Sequence, residues 1–137
     1  MVDEAAPPIA VLIADDQPAQ RAGYRMVLDS QADITVVAEC GDGAQALAHA
    51  RRQRIDVILM DVRMPRVNGL VAAQRISGDA KVLGLGPAPR IVLVTALDLE
   101  EHIAAAVDVG AHAMLYKDAP PETLLDAIRS AARHGQD

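Results

Sequence analysis

The chain contains no tryptophan, no phenylalanine and only two tyrosines in 137 residues. Aromatic platforms of the kind that stack nucleobases or sugars are therefore not available, and the core must be built from Ala, Val, Ile, Leu and Met. There is one cysteine, Cys40. It excludes an internal disulfide and fits a reducing, cytoplasmic location. Lysine is nearly absent: Lys81 and Lys117 are the only two, and the remaining basic residues are arginines. No apolar run approaches the ~20 residues that span a bilayer, and Met1 to Pro8 carries Asp3 and Glu4 with no signal-peptide core. No membrane association is expected. Positive charge is also scarce, with 13 Lys+Arg against 19 Asp+Glu and a net charge of −6. A surface of that sign repels a phosphate backbone, so direct nucleic-acid binding by this segment is not expected.

What is present is apolar and periodic. Hydrophobic residues make up 51% of the chain, which excludes disorder by composition, and the length predicts a single domain. After an arm at residues 1–8, short β-branched runs occur at 9–14, 34–38, 55–60, 91–94 and 112–116. Between and after them lie five segments with apolar residues at helical spacing, such as Leu124, Leu125, Ile128 and Ala132 in the last. Pro18, Pro120 and Pro121 suit first helical turns. Asp98 and Glu101 have the spacing of a capping box, and Gly110 suits a helix end. Continuous rather than alternating apolar strands imply burial on both faces, hence a parallel sheet between helices. The expected fold is a doubly wound α/β domain of (βα)5 type over residues 9–133 with helices on both faces; if its strand order is 2-1-3-4-5, the first and third strands are neighbours. Residues 134–137 are expected to begin a linker or tail. The stretch 77–89, with three glycines and two prolines, is expected to be a long connection holding an extra helical turn.

In such a sheet ligands bind beyond the carboxyl ends of the strands. The residues there are Asp15 and Asp16 after the first strand, Asp61 after the third, Thr95 and Ala96 after the fourth, and Lys117 after the fifth. Singly, each aspartate reads equally well as a solvated turn residue. Together, three carboxylates in one crevice repel one another unless a cation joins them. Oxygen donors without His or Cys favour a hard ion such as Mg²⁺, with Mn²⁺ as the alternative. A lysine and a hydroxyl facing the same point suit a phosphoryl group, and a carboxylate beside them could be its acceptor. His49, His102, His112 and His134 show no metal-ligand spacing.

These residues sit in four runs, VLIADDQPAQR, VILMDVRMPRVNGL, IVLVTALD and GAHAMLYKD. In content and order they resemble the signature regions of the response-regulator receiver domains of two-component signalling. The resemblance covers residues 9–133, and the DDQP opening and LYKDAPPETLLDAIR ending look most like the NarL/FixJ subfamily. It implies a flavodoxin-like (CheY-like) fold, a five-stranded parallel sheet of order 2-1-3-4-5. It further implies that Asp61 is the phosphoacceptor and that Asp16, Asp61 and the backbone carbonyl of Arg63 ligate Mg²⁺, with Asp15 acting through a metal-bound water. Thr95, the Ala96 N–H and Lys117 would hold the phosphoryl group. The implied partners are a sensor histidine kinase, a second copy of the chain after phosphorylation, and a helix-turn-helix effector domain controlling transcription beyond this segment. A constitutive, non-phosphorylated interaction module is the alternative. Three features depart from the family's usual pattern. Met114 stands where an aromatic switch residue is common, with Tyr116 next to the lysine instead. Asp118 stands where proline usually follows the lysine, and the 77–89 connection is long.

Overall fold

The computed structural model describes residues 7–96 and 100–135, and side chains for all of these except 100–102 and 134–135. Most of the N-terminal arm and the capping box expected from Asp98 lie outside the described residues. The strands are β1 (Ile9–Ala14), β2 (Ile34–Cys40), β3 (Val57–Asp61), β4 (Arg90–Thr95) and β5 (Ala113–Tyr116). The helices are α1 (Pro18–Asp29), α2 (Gly43–Arg52), α3 (Gly69–Gly78), α4 (Ala80–Leu83), α5 (Glu100–Asp108) and α6 (Pro121–Gly135). All pairings are parallel, as the continuous apolar strands predict, and the order is β2-β1-β3-β4-β5, as the resemblance implies.

Strand alternation divides the core into two halves. Leu12, Ile58, Met60 and Leu93 point to one face, where α2 and α3 supply Ala46, Ala50, Ala72, Ala73 and Ile76. Val11, Ile13, Val57, Leu59, Val92 and Val94 point to the other, against Tyr24 and Leu28 of α1 and Leu124, Ile128, Ala131 and Ala132 of α6. The alanines are the counterpart of the missing large aromatics, because small contact residues let the helices sit close to the sheet. Among the described residues no helix is long and apolar enough to cross a membrane.

The helix starts follow their local chemistry. Pro18 opens α1, where a missing N–H costs nothing. The carboxylate of Asp42 and the amide oxygen of Asn68 accept from the Gln45 and Val71 N–H groups and cap α2 and α3. Gly110 follows α5 at φ +74°, a conformation that favours glycine.

The extra turn expected in 77–89 is α4. Asp79 caps it through the Lys81 and Val82 N–H groups, and the Arg51 guanidinium of α2 holds the other carboxylate oxygen at 2.6 and 3.0 Å. That pair pulls the Asp79 carboxyl down to about 2. A folded pKa below the unfolded value of about 3.9 stabilises above that value, and the contribution is lost as pH falls through the folded pKa. Asp79→Asn, which keeps the cap, should therefore melt below the wild type at neutral pH. The gap should narrow as pH falls from about 5 towards 2 in a series of thermal melts.

Candidate functional site

The topology places the ends of β1, β3, β4 and β5 side by side, and the polar residues that end or follow each strand meet there. Asp15, Asp16 and Asp61 each offer a carboxylate oxygen within 4.8 Å of the others. Asp15 and Asp61 are buried, whereas Asp16 is exposed. Lys117, from the end of β5, reaches across to 2.9 Å from Asp61 Oδ2 and 3.2 Å from Asp15 Oδ2. The Lys117 N–H donates to the Thr95 carbonyl at 2.9 Å, which fixes the end of β5 to the end of β4.

Each aspartate is held by its own turn. The Gln17 N–H donates to Asp15 Oδ1 at 2.9 Å, and the Arg63 N–H to Asp61 Oδ1 at 3.1 Å. The second contact folds the backbone after β3 back over the Asp61 carboxylate. Gly69, opening α3, lies against the Asp61 carbonyl, where a Cβ would overlap the oxygen. Burial pushes the Asp61 carboxyl up, against the opposing pull of Lys117 and the Arg63 N–H. Burial alone would lower Lys117, but the hydrogen bond and charge of Asp61 and the charge of Asp15 outweigh it and raise its pKa. The single ammonium thus faces two buried carboxylates and an exposed third. Asp15 Oδ2 is buried with no aligned hydrogen-bond donor, only the nearby lysine charge. An all-oxygen cluster with more negative than positive charge and an under-satisfied buried oxygen suits a hard divalent cation.

Thr95 is buried at the end of β4, and Ala96 is exposed beside it. With Tyr116, Lys117 and Asp118 they line a pocket of about 470 Å³ next to the aspartates. Asp15, Asp16, Asp61, Thr95, Ala96 and Lys117 therefore all fall at one end of the sheet. The model for the response regulator receiver domain matches residues 11–129.

The chain belongs to this receiver family. The uncharacterized transcriptional regulatory protein YxjL of Bacillus subtilis is 46% identical over 125 residues, which are 91% of this chain and 55% of that protein. The nitrate/nitrite response regulator NarP of Escherichia coli is 40% identical over 128 residues, covering 93% of this chain and 57% of that protein. The receiver thus spans about half the length of the curated relatives it matches. The signal receiver domain of the Mycobacterium tuberculosis response regulator NarL superposes with a TM-score of 0.82 at 29% identity, over 93% of this chain and 98% of that one. Receiver domains in general bind Mg²⁺ in an acidic pocket, accept a phosphoryl group and interact with sensor histidine kinases.

Two departures from the usual receiver pattern now have a place. Met114 is partly buried and packs into the α2–α3 half of the core, while Tyr116 is 48% exposed at the pocket rim. The described residues include no cis peptide bond, so Lys117–Asp118 is trans.

Some neighbours of the site carried no signal of their own in the sequence. Arg21 Nη1 donates to the Asp15 carbonyl at 2.6 Å, and its Nε lies 3.4 Å from Glu39. Tyr24 lies beneath the cluster in the sheet–α1 core, and burial raises its phenol pKa. Arg21 and Tyr24 looked like any exposed and apolar positions of a helix. The buried cap at Asp42 was also missed; an Asp directly ahead of an apolar helical segment is the signal that could have found it.

Proposed function

We propose that this receiver takes a phosphoryl group from a sensor histidine kinase onto Asp61 in a Mg²⁺-dependent reaction and releases it later by hydrolysis. The observation that carries this reading is the buried Asp61 carboxylate, gripped by Lys117 at 2.9 Å and set beside Asp15 and Asp16. In the transfer an Asp61 oxygen supplies the electron pair of the new P–O bond, and the pair of the broken P–N bond stays on the imidazole. Lys117 exchanges part of its contact with Asp61 for a phosphoryl oxygen. Thr95 and the Ala96 N–H, on the β4 side, are the further donors assigned to those oxygens.

The cation would be held by the carboxylates of Asp16 and Asp61 and the carbonyl of Arg63, with Asp15 bound through water; Mn²⁺ would serve as well. When bound, it supplies neutralisation of the charge that the aspartates and the phosphoryl group bring together. Hydrolysis returns a free carboxylate and inorganic phosphate.

The likeness to transcriptional regulators supports an output through a DNA-binding effector domain, with phosphorylation favouring a dimer. A net charge of −6 leaves DNA contact to that effector rather than to this segment. A cytoplasmic location accords with this role. Incubation with radiolabelled acetyl phosphate and MgCl₂ tests the reading. The protein should take up label that a chelator abolishes. Absence of label, or label indifferent to chelation, would contradict it.

A further inference from the structure

Asp42 and Arg66 lie outside the phosphoryl site, 24 residues apart in sequence, yet they join the two loops around it. Asp42 is 4% exposed. One of its carboxylate oxygens caps α2 through the Gln45 N–H at 2.8 Å, and the other accepts from Arg66 Nη1 at 3.0 Å. Arg66 has φ +66°, the only non-glycine residue with positive φ among those described. A left-handed backbone is costly for a long side chain, so a compensating contact is expected, and the ion pair supplies one.

A second tie runs beside the first. The Gly43 N–H donates to the Val67 carbonyl at 2.9 Å, and a Cβ on residue 43 would overlap that oxygen. The turn between β2 and α2 is itself fixed to the end of β1, because the Asp15 N–H donates to the Cys40 carbonyl at 2.9 Å. The segment between Asp61 and Asn68 is therefore hung between two anchors. One is the Arg63 N–H on the Asp61 carboxylate, and the other is the paired contact of Arg66 and Val67 with Asp42 and Gly43.

We infer that the Asp42–Arg66 ion pair is a latch that positions the Arg63–Val67 loop and thereby sets the receiver's affinity for its divalent cation. Arg66 and Asp42 are positioning residues that act through the Arg63 carbonyl. The inference rests on the cation reading of the preceding section. The Arg66 end is mostly exposed and the Asp42 end is buried. The pair adds little to global stability, but removing the arginine deprives a buried carboxylate of a donor and frees the loop to shift.

Backbone strain and ion pairing at residue 66 have opposite consequences, which makes the latch separable from a merely structural role. Arg66→Gly relieves the left-handed strain and deletes the pair. Its metal-free melting temperature should stay close to that of the wild type, because relief of the strain offsets loss of the pair. Its Mg²⁺ affinity, read from amide shifts in an NMR titration with MgCl₂, should fall about tenfold, the low end of the range for residues that orient a metal ligand. Amide exchange at Gly43 should quicken. Arg66→Lys, which keeps the charge, should recover most of the affinity, and Asp42→Asn, which keeps the cap, should lose it. Wild-type binding with Arg66→Gly and Asp42→Asn within about twofold of it would overturn the latch and leave the cation reading intact. A wild type with no Mg²⁺-dependent shifts would overturn both.

Discussion

Asp61→Ala takes up no label from acetyl phosphate and Mg²⁺, while the wild type does. The expected loss is at least about 10³-fold, because removal of a covalent nucleophile leaves only binding and charge effects behind. Asp15 and Asp16 do not substitute. The Asp15 carboxylate accepts from the Gln17 N–H and has no measurable exposure. Asp16 is exposed, outside the grip of Lys117 on Asp61 and Asp15. The variant should still fold, since the core on both faces of the sheet does not depend on Asp61. Its Lys117 retains Asp15 as a counter-charge at 3.2 Å. Circular dichroism and a cooperative melt check the fold independently of the label. Label retained by a folded Asp61→Ala protein would move the acceptor elsewhere.

The second large effect is structural in origin and functional in outcome. Gly69→Ala places a methyl group against the Asp61 carbonyl and the Asp61–Val62 backbone. The N–H of residue 69 also donates to the Val62 carbonyl at 2.9 Å, so α3 and β3 cannot simply separate. Forcing an atom into packed backbone costs about 2 kcal/mol, or roughly 8 °C in melting temperature for a domain of this size. The atoms displaced are those that carry the acceptor carboxylate, and a misplacement near 1 Å can slow a positioned reaction about 100-fold. Gly78→Ala is the control: nothing lies within 4 Å of its Cβ position. That variant should be neutral or more stable by about 0.5–1 kcal/mol, since alanine suits a helix better than glycine. Equal melting of the Gly69 and Gly78 variants would refute the close approach.

Much of this architecture was legible because both signals are local. An apolar run between polar turns marks a buried strand, and the first polar residue after it marks the strand's carboxyl end. That is how Asp15, Asp16, Asp61, Thr95 and Lys117 could be placed together. Element edges were less legible. The third strand looked like 55–60 but runs from Val57 to Asp61. Ile55 is buried without being in the strand, and Asp61 pairs with Val94 despite its charge. The second strand extends to Cys40 because its pairing with β1 shifts register after Val11, where Val36 is followed by Ala38 as the next partner. Apolarity reports burial, whereas strand ends are set by backbone hydrogen bonds. The last helix likewise runs to Gly135, two residues past the expected end of the domain.

Long-range polar pairs were not legible at all. Arg51–Asp79, Asp42–Arg66 and Arg129–Asp33 join residues 28, 24 and 96 positions apart. No periodicity connects them, because each depends on how two elements or loops distant in sequence meet in space. Arg66 stands in the family-like run VILMDVRMPRVNGL, yet its sequence position hints neither at a left-handed backbone nor at a buried carboxylate partner.

The central claim is that Asp61 is the acceptor, and mapping the modification tests it most directly. The wild-type protein would be phosphorylated with acetyl phosphate and MgCl₂, trapped with borohydride, digested and sequenced by mass spectrometry. A single reduced acyl-phosphate site at Asp61, absent when the metal is chelated, is the predicted result. Reduction at Asp15 or Asp16, with Asp61 untouched, would contradict it.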